Sequence, residues 1–135
     1  MDLIIKKAVE NFAEILGLEL SECSDENING FVSKIEIKGD RNYFIYVVVP
    51  EQKLELVSEI LLGDKDAYDL EDLTKEIANL IVGNSKVIAG EMGVDYNIST
   101  PEFLGEYNET IEFDEFKCFQ VNGVRFFILL RRING

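Results

Sequence analysis

Asp72-Leu-Thr-Lys-Glu76-Ile-Ala-Asn79-Leu-Ile-Val-Gly83-Asn84-Ser-Lys86-Val-Ile-Ala-Gly90-Glu91 reads as one long helix with sorted faces. At about 100° per residue, Leu73, Ile77, Leu80, Ile81 and Ile88 align in an apolar stripe that needs a core to cover it. Ala78, Val82, Ser85 and Ala89 form a second stripe, small enough for close packing. Glu76, Asn79, Gly83 and Gly90 share a third face. Asp69 or Asp72 suits the helix start, where acidic side chains cap free amides, and Gly93 suits its end. A glycine inside a helix is less favourable than alanine by about 1 kcal/mol. Gly83 and Gly90 therefore point to close approach by another element of the fold or by a partner.

The elements around this helix read as α+β. Ile5, Ala8, Val9, Phe12, Ile15 and Leu16 recur at helical spacing over residues 3–16, with Gly17 as a stop. A short strand is expected near Leu18–Cys23, then a loop at Ser24–Gly30. Phe31–Lys38 alternates, and Tyr43–Val49 is an apolar run of strand length that Pro50 ends. Gln52–Leu62 reads as a helix closed by Gly63. Val94–Thr100 reads as a strand cut by Pro101. Phe116–Val121 and Val124–Arg131 flank Asn122-Gly123, the sequence of a two-residue type I′ hairpin turn. The acidic stretch Glu106–Glu115 fits none of these patterns. The expectation is one domain over residues 1–135, an antiparallel or mixed sheet with helices packed on it.

A pseudo-two-fold internal repeat is also expected. Laying Glu10 on Glu76 without gaps aligns Ile15 and Gly17 with Ile81 and Gly83. The same shift aligns Ser33, Glu36, Gly39 and Asn42 with Ser99, Glu102, Gly105 and Asn108. Ala13 stands where Asn79 would have its counterpart.

Composition narrows the chemistry. A net charge of −13 argues against nucleic acid and suits a partner with a positive patch or a bound cation. The chain has no histidine, so no histidine base, phosphate carrier or metal ligand is available. No apolar run reaches the roughly 20 residues that span a bilayer, and nothing marks export, so a cytoplasmic location is expected. Cys23 and Cys118 have no metal-ligand spacing and are expected as two unpaired thiols in a reducing compartment.

Glu76 and Asn79, three positions apart, are surface neighbours on the helix. With Asp72 one turn before Glu76, and Pro101 well beyond the helix end, they make a spaced set of four. The chain resembles the CheC/CheX/FliY family of chemotaxis phosphatases. That family's pattern runs from Asp or Ser to a Glu four positions on, then to an Asn three positions further, then to a Pro at the interval that separates Asn79 from Pro101 here. The chain is most similar to CheX, which has one such site, and Ala13 agrees with a single site.

The resemblance implies hydrolysis of the aspartyl phosphate of a CheY-type response regulator. Asn79 would position the attacking water and Glu76 would dock the regulator through one of its lysines. Gly83 and Lys86 would border the docking surface, and Asp72 and Pro101 would be structural. It implies no metal or cofactor of the chain's own, Mg²⁺ being held by the regulator, and a homodimer. The competing expectation is a non-catalytic binding or dimerisation module akin to FliM and FliN.

Overall fold

The computed structural model describes residues 2–15, 17, 20–23, 27–39, 42–64, 69–121 and 124–133. Helix α1 spans Asp2–Ile15, followed by strands β1 (Leu20–Cys23), β2 (Phe31–Gly39) and β3 (Asn42–Val49). Helices α2 (Glu51–Leu62) and α3 (Leu70–Glu91) come next. Strands β4 (Tyr96–Ile98), β5 (Glu102–Glu106), β6 (Glu115–Val121) and β7 (Val124–Ile133) complete the order.

These strands form one sheet ordered β1-β6-β7-β3-β2-β4, with β5 also on β2, and every pairing described is antiparallel. Hairpins β2–β3 and β6–β7 lie side by side through β3 and β7, as long apolar strands buried on both faces should. The Asn122-Gly123 turn lies outside the described residues, but Val121 pairs with Val124 across it. The shift that lays Glu10 on Glu76 carries α1 onto α3, which pack together. It carries β2 onto β4 and β5, which are β2's own hydrogen-bonded neighbours, so it does not relate the two hairpins.

The sheet has two buried faces. On one, Ile35, Ile37, Ile45, Val47, Phe119, Phe126 and Ile128 meet apolar side chains of α1, α2 and α3. Burying each large side chain fully contributes about 1.5–3 kcal/mol, so this layer dominates the stability. On the other, Val32, Tyr46, Val48, Cys118, Phe127 and Leu129 are covered by Tyr107, Ile111 and Phe113. The acidic stretch that fits no sequence pattern is thus a strap over the second face. Glu112 pairs with Arg131 at 3.1 Å and Glu115 with Arg132 at 2.9 Å, while the Arg132 amide donates to Asp114 at 2.7 Å.

Two expectations need correction. Val94–Thr100 is not one strand: β4 stops at Ile98 and a separate β5 resumes after Pro101. A proline lacks the amide that a ladder requires. The Ser99 hydroxyl instead accepts from the Glu36 amide at 2.9 Å, closing the gap on β2. Cys23 and Cys118 are not separate thiols. Strands β1 and β6 set them directly opposite each other, with Cα atoms 5.0 Å apart, and they are joined as a disulfide.

Candidate functional site

Helix α3 is fixed at both ends and along its inner side. Asp69 is its N-cap, the Oδ1 atom accepting from the Asp72 amide at 3.0 Å, which settles the choice between the two aspartates. Glu71 and Asp72 then sit in the first turn, where the helix dipole favours negative charge. At the far end the Val94 amide donates back to the Ala89 carbonyl at 2.8 Å, and Gly93 takes the left-handed conformation, φ 79°.

Leu73, Ile77, Ala78, Ile81, Val82, Ser85, Ile88 and Ala89 are buried, so both expected inner stripes face the protein except for Leu80. Helix α3 packs against α1, and the Asn84 side-chain amide donates to the Ala8 carbonyl at 3.4 Å. Ser85 shares a buried hydrogen bond of 2.8 Å with the Tyr96 hydroxyl, tying α3 to β4. Burial pushes the Tyr96 phenol above its ordinary range, the Ser85 contact opposing in part.

The outer face is the expected one. Glu76 and Asn79 are both exposed, and among the described residues neither makes a hydrogen bond or an ion pair. Asp72, Val87 and Gly90 are exposed on the same side, with Gly83 partly so. Lys86 is exposed at the margin of this strip.

Sequence reasoning missed the apolar part of the surface. Leu80 is 40% exposed and Val87 61% exposed, beside Asn79 and Gly83 on a helix otherwise sorted by polarity. Val87, absent from both inner stripes of the helical projection, was the available signal.

A methyl group at Gly83 or Gly90 would meet nothing within 4 Å outside the helix's own backbone. Among the described residues, no other element of the fold therefore requires either glycine. Pro101 stands in the break between β4 and β5, both of which pack on α3. No hydrogen bond or ion pair joins it, or the Asp72 side chain, to Glu76 or Asn79 among the described residues.

The surface is an open helix face. Clefts of about 480 and 330 Å³ are lined by other residues, Gly30 with Glu55 and Tyr107 in one and Glu10 with Ala13 in the other. An open helix face with a carboxylate, an amide, two glycines and two aliphatic side chains suits a macromolecular surface better than a small molecule, which prefers concavity. Among the described residues, no three histidine, cysteine, aspartate or glutamate side chains cluster as a metal site. No described helix is long and apolar enough to cross a membrane.

Comparison with known proteins agrees with this reading of the fold. Residues 31–122, more than half of the chain, match a family described as Chemotaxis phosphatase CheX. The structure is similar to that of the chemotaxis protein CheX from Vibrio vulnificus, with a TM-score of 0.77 and 21% identity over 96% of this chain and 97% of that one. A chemotactic CheC-like protein from Shewanella oneidensis matches with a TM-score of 0.75 and 18% identity, over 98% and 100%. The CheX–CheY–BeF3–Mg²⁺ complex from Borrelia burgdorferi matches with a TM-score of 0.68 and 15% identity, over 95% and 96%. No curated protein matches the chain.

Proposed function

The chain belongs to the CheX family of chemotaxis phosphatases, and on that premise we propose that it hydrolyses the aspartyl phosphate of a CheY-type response regulator, with Asn79 positioning the water. One observation carries the reading: Glu76 and Asn79 stand together, exposed and unpartnered among the described residues, on the open face of a helix anchored everywhere else. Unsatisfied polar groups on a rigid element are preorganised for a partner.

An acyl phosphate is already activated, so the catalyst's task is to hold water in line with phosphorus. Phosphoryl transfer is governed by positioning and charge stabilisation, and an amide side chain suffices to orient water. The Asn79 oxygen accepts a hydrogen bond from that water, and the neutral amide takes no proton from it. Glu76, one turn away, forms an ion pair with a lysine beside the regulator's phosphorylation site. The regulator supplies Mg²⁺ and the phosphorylated aspartate. Gly83 lets its surface approach the helix, Lys86 borders the contact, and Asp72 and Pro101 shape the helix start and the adjoining strands. The setting is the cytoplasm, and the working form is a homodimer.

The test is the lifetime of a phosphorylated CheY-type regulator in Mg²⁺ with catalytic amounts of the protein. Asn79→Ala should slow turnover by about 10²-fold or more, the scale of losing one preorganised polar group at a reacting centre, with regulator binding retained. Glu76→Ala should raise KM as well as lower the rate. A wild-type protein that binds the regulator yet leaves the phosphate lifetime unchanged would instead be a non-catalytic binding module.

A further inference from the structure

Strand β1 is held to the sheet by little. It has four residues and pairs with β6, Leu20 opposite Val121 through Cys23 opposite Cys118. Ser21 and Glu22 are exposed. The Lys6–Glu22 ion pair, at 3.7 Å with both side chains near half exposed, contributes little because water screens it. Cys23 is different: it is partly buried against the cluster containing Cys118, Phe127 and Leu129. A strand this short gains little from its ladder alone. The disulfide is therefore its principal described anchor.

We propose that the Cys23–Cys118 disulfide is a redox latch governing access to the outer edge of β6. The two cysteines are not equally buried. Cys118 is 4% exposed, while Cys23 is only partly buried. An attacking thiolate reaches the Cys23 sulfur, forming a mixed disulfide as the Cys118 thiolate leaves and takes up a proton. The second thiol of a dithiol reductant then attacks the mixed disulfide, releasing the Cys23 thiol. Two electrons and two protons pass to the protein, and the dithiol becomes a disulfide. Disulfides that do form in reducing compartments are characteristically reversible and regulatory.

Once reduced, β1 opens locally. Its departure leaves the β6 edge over residues 118–121 without hydrogen-bond partners, the kind of edge on which another strand can pair. It also removes the wall that Ser21 and Glu22 give the cleft of about 330 Å³ against α1. The face carrying Glu76 and Asn79 keeps its support from the sheet, because α3 packs on β2, β3, β4 and β5, toward the other end, although it also packs on α1, which lines the cleft. The latch thus stands or falls independently of the phosphatase reading.

Hydrogen exchange of the full chain, before and after treatment with dithiothreitol, tests this. Reduction should speed exchange of those amides within residues 118–121 that face β1 by at least about tenfold, while the alternate amides bonded to β7 and the β3–β7 amides keep their protection, as a local opening requires. Cys23→Ser should exchange like the reduced protein with or without reductant, and regulator dephosphorylation should be the same in both states. Unchanged exchange at residues 118–121 on reduction would overturn the proposal. So would loss of protection across the whole sheet, or failure of oxidised glutathione to form the bond.

Discussion

Replacing Gly83 with alanine should strengthen the fold and weaken the function at once. Gly83 is helical and partly exposed, and a Cβ there meets nothing within 4 Å beyond the helix's own backbone. The methyl group is therefore free of steric strain in the isolated chain. Alanine is favoured over glycine inside a helix by about 0.8–1 kcal/mol, chiefly because the unfolded backbone loses freedom. For a chain of this size that is a rise of roughly 3–5 °C in melting temperature. If the regulator's surface lies against Gly83, the same methyl group overpacks the contact. Overpacking a close-fitted surface is unfavourable by about 1–3 kcal/mol, which lowers kcat/KM by roughly 5- to 150-fold. Urea unfolding and the phosphate lifetime of the regulator, measured on the same preparation, separate the two effects. A stabilised variant with wild-type kcat/KM would place Gly83 outside the contact and refute the docking argument. A destabilised variant would refute the assignment of open space around it.

Two further outcomes follow from the fold. Gly30→Ala should destabilise the protein by about 2 kcal/mol or more, since overpacking and a disfavoured backbone conformation add. At φ +133° its Cβ would lie 2.7 Å from the Val49 carbonyl carbon and oxygen. A urea midpoint equal to wild type would count against that geometry. Tyr96 should make stability fall in alkali. Burial raises its folded pKa above the ordinary phenol value of about 10, so above pH 10 the unfolded chain releases the phenol proton while the folded chain keeps it. Stability is thus full below pH 10 and declines as pH rises through the folded pKa. Tyr96→Phe should lose about 1 kcal/mol near pH 7 with the Ser85 hydrogen bond, yet show a shallower alkaline decline in pH-dependent urea melts.

How far the sequence disclosed this molecule depended on how local the determinant was. Helix α3, the central strands and the outward face of Glu76 and Asn79 are set by periodicity over a few turns, and they were legible. The choice of Asp69 over Asp72 as cap turns on one hydrogen bond and was open until the structure fixed it. Strand β5 was invisible because none of its residues is fully buried: Glu102, Leu104 and Glu106 are exposed, Phe103 and Gly105 partly so. The strap over the second sheet face did carry a signal, with Tyr107, Ile111 and Phe113 spaced among acidic residues, but its target is a face created by strands elsewhere. The cysteine pairing was beyond reach for the same reason. Spacing along the chain says nothing about β1 crossing to β6. In the proposed function, the regulator face that would meet Glu76 and Asn79 is likewise a property of two surfaces, only one of which this sequence encodes.

The break at Pro101 bears on how the molecule behaves in a crowded solution. An uninterrupted outer strand would offer neighbouring copies a long template for uncontrolled stacking. On β2 that margin is instead divided between three residues of β4 and five of β5, with a bulge opposite Val32 and Ser33. Glu102 and Glu106 face outward along it. The break at Pro101 thus leaves this flank of the sheet irregular and charged, both features that disfavour stacking of strands from neighbouring copies.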